Sequence, residues 1–191
     1  MKYADDYSGW GNSILYNMCT KRPLHDDIDT ISSKLWIIGR SYSAAIERKA
    51  GKNFKIQKAA KIIMNSDIDE YIADILKVRR PTEKNIHRVL AAHKYLTDVL
   101  LRATGVEKRS LASKYLHFHS PNSVFIFDSI ANNKVRSKLK GYRFKVSNDY
   151  DNNYESFCYR CIEYRNNHLE PKLGQLATPR RLDMELLQYG L

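Results

Sequence analysis

Apolar residues in this chain recur mainly three and four positions apart, a spacing that builds helices and leaves little room for sheet. The longest such run carries Ile86, Val89, Leu90, His93, Leu96 and Leu100. Thr82 reads as its N-cap, and Gly105, just past Thr104, supplies the C-terminal stop. Residues 8–19 place Ile14, Leu15 and Met18 on a first helix that Arg22-Pro23 ends. Ile31, Leu35, Ile38, Tyr42, Ala45 and Ile46 form one stripe, predicting a helix from Thr30 to Lys49 that stops at Gly51, with Glu47 paired to a neighbouring arginine. Lys55 to Asn65 reads as helix. Ser66 and Asp69 form a capping box for the next one, which bears Ile68, Tyr71, Ile72 and Ile75. Towards the C-terminus, residues 129–139, 154–169 and 180–189 are helical, the last opened by Thr178-Pro179.

Residues 1–191 show no repeat or linker. They are expected to form a single compact all-α domain of eight or nine helices, with room for two lobes. With 28% charged residues, and no apolar run near the roughly 20 that a membrane helix needs, no membrane partner is expected. The first ten residues lack a secretory core, and three cysteines give no disulfide framework, so a cytoplasmic location is expected. Cys158 and Cys161 are spaced CxxC inside a helix with no second ligand pair. They read as packed, inert thiols, with no metal and no cofactor expected. His87 and His93 read as surface or core-edge histidines. The net charge of +11 points to a polyanion partner, and the thirteen tyrosines offer faces on which bases stack.

Chemistry concentrates between Gly105 and Ala131. A glycine turn carries Lys108 and Arg109 to a helix that Ser110 is placed to cap, where free backbone N–H groups and the helix dipole attract anions. Its bland reading is an ordinary helix connection. The apolar run Val124 to Phe127 then delivers Asp128 to the start of another helix. Asp128 reads as an N-cap, and a carboxylate there that also faces a groove can stabilise positive charge developing on a sugar.

Gly105, Val106, Ala112, Phe125, Ile126 and Asp128 together resemble the signature of the helix-hairpin-helix DNA glycosylase superfamily, over about 25 residues that include a hairpin element at about 96–119. Residues 36–49 are similar to that family's early core helix. Glu107 stands where the motif has its second glycine, and Arg109 where lyase members carry a Schiff-base lysine. The resemblance implies an all-α fold that grips double-stranded DNA through Gly105, Val106, Lys108, Arg109, Ser110 and Lys114. It implies a monomer that flips a base into a pocket, with Asp128 as the catalytic carboxylate. Arg109 offers no neutral amine, so hydrolysis is expected rather than lyase chemistry, unless Lys108 or Lys114 supplies the amine. The expected role is repair, or defence against phage carrying modified DNA. Candidates for the base pocket are Trp10, Asn12, Tyr16, Arg40, Tyr42, Tyr115, His117 and His119. His117 and His119 diverge by about 200° on a helix, which argues against a shared metal. Two other readings stay open: a non-catalytic DNA-binding module, and a helical protein whose positive surface meets an acidic partner.

Overall fold

The computed structural model describes the backbone from residue 10 to 187 and side chains from residue 12 onward, and within that span the chain is all-helical. In order the helices are α1 (Trp10–Lys21), α2 (Ile28–Ser41), α3 (Ile56–Met64), α4 (Ile68–Ile75), α5 (Ile86–Thr104), α6 (Arg109–His119), α7 (Ser129–Lys138), α8 (Asn152–Tyr164), α9 (Glu170–Leu173) and α10 (Pro179–Leu187). A wide π turn, Arg165–Leu169, joins α8 to α9. The hairpin of α5 and α6 is central: α5 packs on α3, α4 and α8, α6 packs on α1 and α2, and α7 packs on α8 and α10. One apolar cluster runs from Leu15 to Leu186. Every residue of α6 from Leu111 to His119 is buried.

Several element boundaries differ from the sequence expectations. Helix α2 ends at Ser41, not Lys49, because Ser43 takes a left-handed φ of 53°. The Ser43 N–H donates to Arg40 O, and the Ala44 N–H to Gly39 O at 2.7 Å, the paired bonds of a Schellman motif. The chain then folds back over Gly39, where a Cβ would meet the Ala45 Cα at 3.1 Å. Ser66 makes no capping box: its hydroxyl turns back to Ile63 O, and α4 begins after Asp67. Nor does Thr82 cap α5, since its carbonyl closes a turn with Asn85 and Ile86, the first residue of the helix. The single helix expected over 154–169 widens at Arg165, just before Pro171, whose missing N–H and ring disfavour a regular turn against the carbonyl four residues back. His93 is fully buried, stacked on Tyr154 with centroids 3.6 Å apart. Cys158 and Cys161 are buried free thiols, as expected, and Glu47 does pair with Arg40.

His25, His93, His117 and His119 are buried around the central hairpin. Burial holds each below its ordinary value of 6.5, His93 down to about 4 and His117 to about 3. Below pH 6.5 the unfolded chain therefore binds protons that the folded chain refuses, so stability present above that pH is lost on acidification. Urea titrations from pH 7 down to 5 should show falling stability, each histidine contributing a slope approaching about 1.4 kcal/mol per pH unit. A flat profile would contradict these neutral histidines. Gly39→Ala should cost about 1–3 kcal/mol by forcing the Ala44–Ile46 backbone away, readable in the same titrations.

Candidate functional site

The turn from α5 to α6 is built as its glycine suggests. Gly105 has φ +69° and its N–H donates to Leu101 O at 2.7 Å, ending α5 in a left-handed cap. Helix α6 then starts at Arg109, with Lys108 in the cap position and no side chain capping it. Ser110 lies inside the helix, and its hydroxyl donates instead to Phe127 O at 3.1 Å.

Val124 to Phe127 is buried, extended and has no strand beside it, so its polar backbone must find side chains. Nδ1–H of His117 donates to Val124 O at 2.8 Å, and the Tyr154 hydroxyl to Phe125 O at 2.9 Å. The Phe127 N–H donates to Ser113 Oγ at 3.0 Å, while its carbonyl accepts from Ser110. The Tyr16 hydroxyl donates to the other nitrogen of His117 at 2.6 Å, fixing a neutral tautomer. Asp128, delivered by this run, caps α7 by accepting from the Ala131 N–H at 2.7 Å through Oδ1. Its Oδ2 takes no hydrogen bond from any described residue.

Asp128 lies on the wall of a cavity of about 870 Å³. The walls come from Asn12 of α1, the end of α2 with the loop after it, the Gly105 turn with the start of α6, the start of α7, and Arg180 and Leu187 of α10. Six cationic side chains contribute, Arg48, Lys49, Lys108, Arg109, Lys114 and Arg180, against the carboxylates of Glu107 and Asp128.

The inner cations are committed to the fold. Lys108 is buried and donates to Arg48 O. The Nε of Arg109 pairs with Asp151 at 2.5 Å, tying the start of α6 to the residue that caps α8. Lys114 is 3% exposed and donates to Tyr42 O at 2.9 Å and Ser110 Oγ at 3.0 Å. Burial lowers its ammonium below the usual range, while Asp128 and Asp183 pull the other way. Arg180 pairs with Asp183 at 2.7 Å and keeps a buried Nε with no partner among the described residues. Burial, and then nearby Asp128, push the Asp183 carboxyl up to about 7 against the pull of Arg180. Ile130, 58% exposed, stands as an apolar residue on the rim.

Of the proposed DNA-gripping residues, Val106, Lys108, Arg109, Ser110 and Lys114 line the cavity, and Gly105 lies just outside it. Among the base-pocket candidates, Asn12 and Tyr42 line it, joined by a hydrogen bond of 2.7 Å. Tyr16, Tyr115, His117 and His119 are core residues. Arg40 points outward, pairing with Glu47 and lying 5.9 Å over Trp36. The side chain of Trp10 lies outside the described residues.

Sequence reasoning missed Arg48, Lys49, Ser129, Ile130 and Arg180, which reach the cavity through tertiary packing and carry no local motif. It also missed a relay in which Asp69 holds His25 Nδ1 at 2.5 Å and the Tyr115 hydroxyl donates to His25 Nε2 at 2.8 Å. His119 stacks on both rings. That relay is closed off from the cavity and braces α6 against the chain before α2.

No family model, no curated protein and no solved structure matches this chain.

The side chains that serve the Val124–Phe127 backbone give a direct test. Tyr154→Phe should strand the Phe125 carbonyl and cost about 1–3 kcal/mol in urea unfolding. A loss below a few tenths would mean that this bond does not hold the run in place.

Proposed function

We propose that this protein is a DNA glycosylase that flips a damaged or modified base into the cavity beside Asp128 and removes it by hydrolysis. One observation carries the reading: Asp128 has one oxygen anchored in a helix cap and the other unclaimed by described residues, on the wall of a cation-lined cavity that adjoins the α5–α6 turn. A volume of about 870 Å³ suits a base with its sugar, within the roughly 300–1,000 Å³ of ligand sites.

In the proposed reaction the bond from C1′ to the base breaks, and the Asp128 carboxylate stabilises the oxocarbenium-like sugar. A water held by the same carboxylate loses a proton as its oxygen bonds C1′, and the base departs carrying a proton. The backbone N–H groups opening α6, which no side chain caps, suit a phosphate beside the target. Ile130 on the rim suits the gap left in the stack. Arg109, held by Asp151, supplies no amine, in keeping with a hydrolase rather than a lyase. The same chemistry serves repair or defence against phage with modified DNA.

A second reading, a DNA-binding module without catalysis, draws on the structural duties of Lys108 and Asp128. Duplexes carrying deaminated, oxidised, alkylated or phage-type modified bases, cleaved with alkali after incubation, separate the two. The wild type should leave abasic sites in at least one substrate, and Asp128→Asn, which can keep the cap, should slow release by about a hundredfold or more. Full activity in Asp128→Asn removes the proposed mechanism, and tight binding without any base release favours the module.

A further inference from the structure

The chain's positive charge is not spread evenly. Residues 48–66 contain Arg48, Lys49, Lys52, Lys55, Lys58 and Lys61 and no acidic residue. Residues 129–148 contain Lys134, Arg136, Lys138, Lys140, Arg143 and Lys145, again with no acidic residue. Together they hold twelve of the 32 Lys and Arg and none of the 21 Asp and Glu. The rest of the chain is balanced, twenty against twenty-one, so these two stretches account for the whole net charge of +11.

Both stretches begin at the cavity. Arg48 and Lys49 line it at the head of the first, and Ser129 and Ile130 at the head of the second. Eleven of the twelve cations are exposed and Lys134 is half-buried. Every Lys or Arg found paired with a carboxylate among the described residues lies outside the two stretches. The pattern follows local geometry. Around α3 the lysines recur every third residue while Ala59, Ala60 and Ile63 face the core. Past α7 the chain alternates, with Tyr142, Phe144 and Val146 half-buried and Arg143 and Lys145 exposed between them.

A dozen like charges with no carboxylate partner among the described residues repel one another, a cost that a polyanion reverses by giving up its condensed counterions. A membrane surface fits poorly, because Phe54, Ile56, Ile62 and Met64 pack against the core and Ile130 alone among the large apolar residues of the two stretches is exposed. Lysines with no exposed aromatic neighbours suit phosphate contacts rather than base readout.

We infer that residues 48–66 and 129–148 are two cationic arms that hold the phosphate backbone of a nucleic-acid duplex beyond the cavity, making this, rather than the Lys108–Arg109 turn, the main source of affinity. The choice of a duplex rests on the proposed glycosylase reading. The arms bind without regard to sequence and leave discrimination to the cavity.

The test is the salt dependence of binding to an unmodified duplex of about 30 base pairs, followed by fluorescence anisotropy between roughly 50 and 300 mM salt. Lys52, Lys55, Lys58 and Lys61→Gln together, and separately Arg136, Lys138, Lys140 and Arg143→Gln, should each flatten the slope of log K against log salt by about 3 to 4. All these positions are exposed, so the thermal midpoint should not fall. A control set outside the arms, Lys77, Lys94, Arg102 and Lys172→Gln, should leave the slope unchanged. Equal flattening by control and arm variants would overturn the arms in favour of diffuse charge. Binding to phosphatidylserine vesicles without binding to the duplex, or no binding to either, would overturn them as well. Loss of duplex affinity in the arm variants, when wild type releases no base from any substrate, would uphold the arms and sink the glycosylase reading.

Discussion

Four residues of buried, extended backbone set the terms for the middle of this protein. Val124 to Phe127 has no neighbouring strand, so its amides and carbonyls depend on side chains sent from α6 and α8. That dependence accounts for a serine, a neutral histidine and a tyrosine at fully buried positions, where unpartnered polar groups would be costly. It also keeps Asp128 from being the end of a flexible loop. The carboxylate is fixed at its base by the buried run and at its tip by the cap of α7.

A second constraint follows from burying α6 from Leu111 to His119. Along that buried stretch the polar heads of Lys114 and His117 are settled locally, while His119 stacks on His25 and Tyr115 and keeps a buried Nε2 with no hydrogen-bond partner among the described residues. Lys114 reaches a carbonyl and a hydroxyl, and His117 sits between a phenol and a carbonyl. The cavity wall is thus polar because the fold needs those groups, and its cations are largely pre-oriented before any ligand arrives.

The sequence was legible where a residue's local chemistry decided the outcome. Gly105 does stop α5, Asp128 does cap α7, and the helical class follows from spacing alone. It misled where a distant contact decided. A continuous apolar stripe through Ile46 conceals the break at Ser41, because the break depends on Gly39 admitting the returning chain. Ser66 and Ser110 have the right identity for caps and spend their hydroxyls elsewhere. Most of the aromatic and histidine pocket candidates proved to be core, since a flat, partly polar ring reads the same in sequence whether it meets a ligand or a neighbouring ring. Arg180, far along the chain, could not be tied to Asp128 by any spacing rule.

The walls of the cavity come from stretches that are remote along the chain, and one of them, α10, is the last helix described. During synthesis the loop after α2, the hairpin and the start of α7 all emerge before Arg180 and Leu187 exist to close the pocket. Until Arg180 and Leu187 are in place, Asp128 and Lys114 stand on a wall that lacks one of its sides. The cavity wall is thus complete only when Arg180 and Leu187 have packed against the stretches that precede them.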